Sequence, residues 1–162
     1  MGRTAAQFLF AMSLAAAATA QGVTASVATY GPFGVNDLDG DLPTSGELRL
    51  SVPTSARLAI EPFATVWSRQ AGMTGLFGVQ LRQRVAQLDN RRGQVFATYG
   101  AAGYYYSGKT SDSGVFGLFG LGLHHRVTAH VAFRPEVQLV TFHIVPIGAR
   151  LMMGLSIHRG EP

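Results

Sequence analysis

The chain has 162 residues, 47% of them hydrophobic and only 14% charged, and it contains no cysteine. That length suffices for one domain with a core of its own, and the missing cysteine excludes disulfides, thiolate metal sites, a cysteine nucleophile and a lipid-bearing cysteine anchor. The formal charge of +4 and the pI of about 10.0 come from twelve arginines and Lys109, with Arg91-Arg92 the only adjacent basic pair, so the clustered stripe of a nucleic-acid-binding surface is not there. Twenty glycines, ten phenylalanines and five tyrosines favour strands and turns over helix bundles.

The first twenty residues read as an address. Arg3 supplies a positive end, Phe8 to Ala18 form a short apolar run, and Ala18-Thr19-Ala20 gives the small-x-small pattern before Gln21. The run is shorter than the twenty or so residues of a spanning helix. Cleavage between Ala20 and Gln21 is expected, which divides the chain into a signal peptide, 1–20, and a mature domain, 21–162. Val23 to Tyr30 is a plausible first strand, followed by a polar loop from Gly31 to Gly46. Asp37, Asp39 and Asp41 in that loop have the alternate spacing that opens a calcium loop. The pattern then fails, with Leu42 where a glycine belongs, Leu48 at the twelfth position and Glu47 one place early. A solvated acidic loop, and no metal, is the expectation.

Glu47 to Val52 is a short strand turned back at Pro53-Thr54-Ser55. Arg57 to Trp67 alternates, with Leu58, Ile60, Ala64 and Val66 on one face and Arg57, Glu61 and Thr65 on the other. Met73 to Gln87 sets Phe77, Val79, Leu81 and Val85 outward, and Gln80, Arg82 and Arg84 inward. Asp89 to Gly93 is turn chemistry. Gln94 to Tyr106 and Gly114 to Arg126 flank a polar loop at Ser107 to Ser113. Thr128 to His143 is the clearest stretch: Ala129, Val131, Phe133, Val137 and Leu139 fall on one side, and His130, Arg134, Glu136 and Gln138 on the other. Pro146 to His158 is the last strand, with Val145, Ile147, Leu151, Met153, Leu155 and Ile157 apolar and Arg150, Ser156 and His158 opposite.

Eight strands of this length predict an eight-stranded antiparallel up-and-down transmembrane β-barrel, preceded by the cleaved signal peptide. A tilted strand crossing an outer membrane needs about nine to eleven residues. The first and fifth connections are long or polar; the second, fourth and sixth are short, and so are the third and seventh. The odd connections are expected outside and the even ones in the periplasm. Pro62 and Pro135 sit in mid-strand, where a proline removes a ladder donor, and a bulge is expected at each.

The inward set of Glu61, Arg82, Arg84, Arg134, Glu136 and Arg150 predicts a salt-bridged lumen, because a lone buried charge is costly and an eight-stranded interior is only wide enough for side chains. Gly117, Gly120 and Gly122 run GxxGxG with no helix after them, which is not a nucleotide fingerprint. Gly100, Gly103, Gly120 and Gly122 are expected to let neighbouring tyrosines lie across the sheet. Trp67, Tyr105 and Phe142 fall near strand ends, as an interfacial girdle would. His124 should point inward towards Arg126 and His130, and His125 outward. Ser156 and His158 share a face, the one weak hint of a hydrolase.

The long alternating strands, the glycine-aromatic pattern, RLAIEPFATV, HVAFRPEVQLVTF and the closing IGARLMMGLSIHRG resemble small bacterial outer-membrane β-barrel proteins of the OmpA, OmpX and OmpW type. The resemblance implies insertion by the outer-membrane assembly machinery, and the expectation is a non-enzymatic monomer in contact with outer-membrane lipids. The C-terminal HRGEP departs from the aromatic ending that such proteins usually carry. No cofactor is expected, and the scattered basic residues give no expectation of a nucleic-acid partner. Three alternatives remain open at this point: a soluble exported barrel that holds an apolar ligand as lipocalins do, with its apolar face inward; a narrow anion-favouring pore; and a lipid-modifying enzyme using Ser156 and His158. The acidic loop around Asp37, Asp39 and Asp41 is the expected place for an outer contact.

Overall fold

A computed structural model of the chain describes residues 22–32, 44–69, 72–88, 92–107, 112–142 and 145–158. The signal segment, with Ala20 and Gln21, and the three aspartates of the acidic loop lie outside these residues. The strands are β1 (Gly22–Pro32), β2 (Thr44–Pro53), β3 (Leu58–Arg69), β4 (Gly72–Gln87), β5 (Gly93–Ser107), β6 (Asp112–Arg126), β7 (Val131–Phe142) and β8 (Val145–His158). Each pairs antiparallel with the next, and β1 pairs with β8 from Gly22↔His158 to Pro32↔Gly148, which closes the ring. Closure leaves no sheet edge, the condition for a β structure surrounded by hydrocarbon.

The alternation sorts the side chains into two surfaces. Outward lie Val66, Phe77, Val115, Leu121, Val137, Leu151, Met153, Leu155 and Ile157, with Leu155 57% and Val115 66% exposed. Inward lie Glu47, Arg49, Glu61, Gln80, Arg134, Glu136, Gln138 and Arg150, all at most 5% exposed. A lipocalin-like barrel needs the opposite arrangement, so the soluble, ligand-holding alternative is excluded by the direction of every one of these side chains. The main apolar cluster of the interior lies at one end. Phe63, Leu76, Ala102, Leu118 and Val140 cluster there, with Tyr30, Tyr104, Phe116 and Ile147 packed against them. Phe142 and Tyr105, near the same end, are half-exposed on the outside; the Trp67 side chain lies outside the described set.

The prolines do not bulge their strands. Pro62 pairs with Val79 of β4 without interruption, and on its other side the β2 ladder skips Leu50 and Ser51, then resumes in the same register at Val52↔Ile60. Pro135 likewise stays paired with Met153 of β8, while the β6 ladder skips Leu123 and His124. A residue in an antiparallel strand directs its N–H to one neighbour only, so proline interrupts one ladder and leaves the other whole. The register shifts fall elsewhere, between Arg84 and Ala86 on β4 and between Val140 and Thr141 where β7 meets β8. The second leaves Ile147 without a partner between Pro146 and Gly148, and this explains why Ile147 packs against the inner cluster and not on the outer face.

Two of the short turns are built alike. After Thr54, Ser55-Ala56-Arg57-Leu58-Ala59-Ile60-Glu61-Pro62 is matched after Val127 by Thr128-Ala129-His130-Val131-Ala132-Phe133-Arg134-Pro135. In each, two successive amides donate to one carbonyl, Leu58 O or Val131 O, and the Ser55 or Thr128 hydroxyl oxygen accepts from two amides in return. This capping takes Thr128, Ala129 and His130 out of the seventh strand, which starts at Val131. The two hairpins are four strands apart in a ring of eight, so they face each other across the lumen.

Val137, opposite Leu151 near the middle of the outer belt, provides a test of which surface meets lipid. Val137→Arg is expected to cost about 2–4 kcal/mol in urea unfolding from phospholipid vesicles; an unchanged midpoint would mean that this face does not lie in hydrocarbon.

Candidate functional site

The middle of the lumen is a polar, charged belt contributed by six strands. Glu47 and Arg49 come from β2, Glu61 and Thr65 from β3, Gln80 and Arg82 from β4, Thr98 from β5, Arg134, Glu136 and Gln138 from β7, and Arg150 from β8. β6 contributes space at Gly120 and Gly122. Glu61 and Arg134 hold equivalent positions in the two facing hairpins, and they meet in a bidentate pair with Nη1···Oε1 2.8 Å and Nη2···Oε2 2.7 Å. This fork-to-fork geometry is the strongest form of the contact. Glu61 also accepts from Gln80 at 3.0 Å and lies 2.9 Å from Arg82 Nε. That last nitrogen makes no directed hydrogen bond, so its contact with Glu61 is an ion contact alone.

The belt continues on both sides of the pair. Arg49 donates to Glu136 at 2.7 Å and, through Nε, to Glu47; Arg150 donates to Glu47 and to Gln138. Thr65 donates to Glu47, Thr98 to Glu136, and Gln138 to both Gln80 and Glu136. Arg134 lies over the Phe96 ring at 4.5 Å, which gives its flat face a partner as well. Three carboxylates and four guanidiniums therefore share one desolvated layer, each held by at least one opposite charge.

Room for such long side chains comes from glycine. Gly100 stands opposite Gln80, Gly120 opposite Gln138, Gly122 opposite Glu136 and Gly154 opposite Arg134. A Cβ at Gly120 would fall 2.7 Å from Gln138 Cγ, and one at Gly122 only 2.3 Å from Phe96 Cζ. The expectation that tyrosines fill these places is thus corrected: Gly122 is crossed by a phenylalanine, and Gly100 and Gly120 admit the polar belt. These long amides and carboxylates gain room where a neighbouring strand carries glycine.

The six residues expected in the lumen do not all join this belt. Glu61, Arg82, Arg134, Glu136 and Arg150 do, whereas Arg84 lies below it, half-buried and facing no carboxylate among the described residues. Glu47 was expected at the edge of the acidic loop and is instead buried in the belt. Arg49 was not singled out at all. Its signal was present, because Glu47, Arg49 and Ser51 alternate strictly with Leu48, Leu50 and Val52, but six residues give a short pattern. His124 does point inward, yet its partner is His158, Nε2 to Nε2 at 2.9 Å, while His130 is exposed in its turn. The Ser156 hydroxyl is 1% exposed and sits 2.6 Å from that of Thr24. It is sealed inside the barrel, away from the bilayer surface where an acyl ester would have to reach it, so the hydrolase reading loses its nucleophile.

No family model matches the sequence, and no curated protein is similar to it. Solved structures are similar in shape. The N-terminal β-barrel domain of OprF from Pseudomonas aeruginosa superposes with a TM-score of 0.63 at 7% identity, over 85% of this chain and 97% of that one. Neisserial surface protein A does so with a TM-score of 0.65 at 11% identity, over 85% and 96%. The fold is that of the small outer-membrane barrels. Ail, the attachment invasion locus protein of Yersinia pestis, is also similar, with a TM-score of 0.51 at 12% identity over 84% and 94% of the two chains. At such identities the likeness is one of architecture, and the lumen side chains stand on their own geometry.

Because Glu61 is wholly buried among Arg134, Arg82 and Arg49, Glu61→Ala should destabilise the barrel by about 3–5 kcal/mol, leaving cations without their counter-charge. Adding Arg134→Met should recover part of that loss. Urea titrations of the single and double variants in the same vesicles check both, and strictly additive losses would show that the two residues are not coupled.

Proposed function

We propose that the mature chain, from Gln21 onward, is a monomeric integral protein of the bacterial outer membrane, with a structural or surface-interaction role and a lumen closed by its own Glu/Arg pairs. The observation that carries this reading is the closed ring with an apolar outer belt and a polar interior whose buried carboxylates are all paired with arginines. The belt makes outer-membrane lipids its first partner, and a barrel of this kind reaches its place through the outer-membrane assembly machinery. With Phe63, Leu76, Leu118 and Val140 filling one end and the charge belt filling the middle, the interior leaves nothing for a solute to pass through, and the reading is of a plug and not of an anion pathway. No step of the reading calls for a nucleophile, a cofactor or a nucleic acid.

The loop end is the side on which a partner is expected. The short capped turns lie at the opposite end, with both described termini, which suits the periplasm. The acidic residues Asp37, Asp39 and Asp41 belong to the first loop-end connection. Two of the structural neighbours, a protein named for the surface and one named for attachment and invasion, support a role in surface contact.

Membrane fractionation tests the core of the proposal. The protein should be recovered in the outer membrane, begin at Gln21 by N-terminal sequencing, and run differently on a gel before and after boiling. Recovery in the soluble periplasmic fraction would overturn the reading. Deleting Asp37 to Asp41 should leave the mobility difference intact; its loss would make that loop part of the barrel's framework. In planar bilayers the protein should give no steady conductance, and sustained ohmic current would remove the plug from the proposal.

A further inference from the structure

Beneath the charge belt, at the end of the capped turns, the lumen opens into a cavity of about 240 Å³. It is lined by Arg57 of the β2–β3 turn, Arg82 and Arg84 of β4, His124 and Arg126 of β6, and His158 of β8, with no carboxylate among the described lining residues. Four guanidiniums and two imidazoles surround one small volume, and of these arginines Arg57 and Arg84 meet no carboxylate among the described residues. Arg82 faces both the belt and the cavity. Its Nε faces Glu61 above, while an Nη2 donates to Ser51, itself part of the cavity wall.

Two features show that this concentration of charge is built by the fold. The Arg84 amide donates to the Arg57 carbonyl at 2.8 Å, which ties the turn to β4 and sets two arginines side by side. Like charges held in neighbouring strands are destabilising unless something lies between them, and neither of these two meets a carboxylate among the described residues. The register shift on β4 falls immediately after Arg84. Alternation sets Arg84 in the lumen phase, where it lines the cavity, and Val85 on the outside, and because the shift comes only after Arg84 it leaves that inward phase intact.

The chemistry that fits is anionic. A transition metal on His124 and His158 would have only two ligands, since no group of three metal-binding side chains exists among the described residues, and it would sit among four cations. An oxyanion gains from all of them. Guanidinium forks match the oxygens of phosphate in pairs, and the volume admits a phosphate or diphosphate group with a few waters but no drug-sized ligand. We propose that this vestibule is a binding site for a phosphate-class oxyanion, held chiefly by Arg57 and Arg84, with Arg82, Arg126 and the two histidines around it. The group can be carried on a lipid headgroup at the membrane face or on a soluble molecule reaching the open end. The belt and the apolar cluster close the lumen above, so the vestibule is a dead end that binds and does not conduct.

The test uses the folded protein in maltoside micelles, which bring no phosphate of their own, with inorganic pyrophosphate as the probe and sodium chloride at equal ionic strength as the reference. Titration calorimetry should show one site per chain for pyrophosphate and none for chloride. Arg57→Gln and Arg84→Gln should each weaken binding by roughly tenfold, the loss of about one charge-assisted contact. Arg92→Gln, which alters an exposed arginine in the β4–β5 turn outside the cavity lining, should leave it unchanged. The heat-dependent gel mobility checks that each variant is folded, and Arg57→Gln, confined to an exposed turn, keeps the test decisive if Arg84→Gln does not fold. Binding no tighter than that of chloride, or an equal loss in Arg92→Gln, would overturn the proposal. Competition by vesicles of anionic phospholipid, and not by vesicles of uncharged glycolipid, would assign the group to a lipid headgroup; pyrophosphate binding that resists both would assign it to a soluble molecule.

Discussion

The structure depends on the bidentate pair between Glu61 and Arg134. Removing two charges from water costs several kcal/mol each, and only good geometry with further hydrogen bonds offsets it. The barrel meets that condition by setting the two residues at equivalent places in opposite hairpins, so that their forks meet across the lumen. Everything around them serves the same end. Gln80, Gln138, Thr65 and Thr98 occupy lone pairs and amide hydrogens that would otherwise stay unsatisfied, and glycines on the facing strands give them space.

The two hairpins do more than deliver this pair. Each begins in a hydroxyl-capped turn and reaches a charged residue followed by proline six residues on. Proline in mid-strand is ordinarily tolerated at a free edge, where no ladder needs its N–H. In a closed ring it interrupts one ladder for two residues while the opposite ladder holds the register. The charge beside it is therefore fixed in height along the barrel by an unbroken neighbour. Register matters here more than in an apolar core, because a slip by one residue would turn Glu61 or Arg134 out into lipid.

Much of the architecture was legible because lipid imposes a simple rule. Each strand must show one apolar and one internally satisfiable face, so Val131 to Leu139 and Leu151 to Ile157 could be assigned by parity alone. Parity fails where the strand is locally irregular. Ile147 was read as lipid-facing because no sequence signal marks the bulge beside it, and bulges were instead expected at the prolines, where the ladder only loses a donor. The belt was legible in part. Glu61, Arg134, Glu136 and Arg150 stand alone among apolar neighbours, whereas Glu47 and Arg49 lie next to a polar loop that draws them into its own composition. Which arginine meets which glutamate depends on height along tilted strands, and pairs 73 and 87 residues apart carry no local trace.

The same balance explains why the turn end differs from the middle. Within the belt, a guanidinium without a carboxylate would be a buried, uncompensated charge, and there is none. At the mouth, water can reach the side chains, so desolvation no longer forces pairing and arginines can be gathered without acids. Arg84 marks the boundary between the two regimes: it keeps the inward phase of β4 but lies one step beyond the last carboxylate. The fold could have spread this charge along the solvent-facing turns at little cost. It holds Arg57 against Arg84 through a backbone hydrogen bond instead, which keeps the two arginines together at the mouth of the lumen.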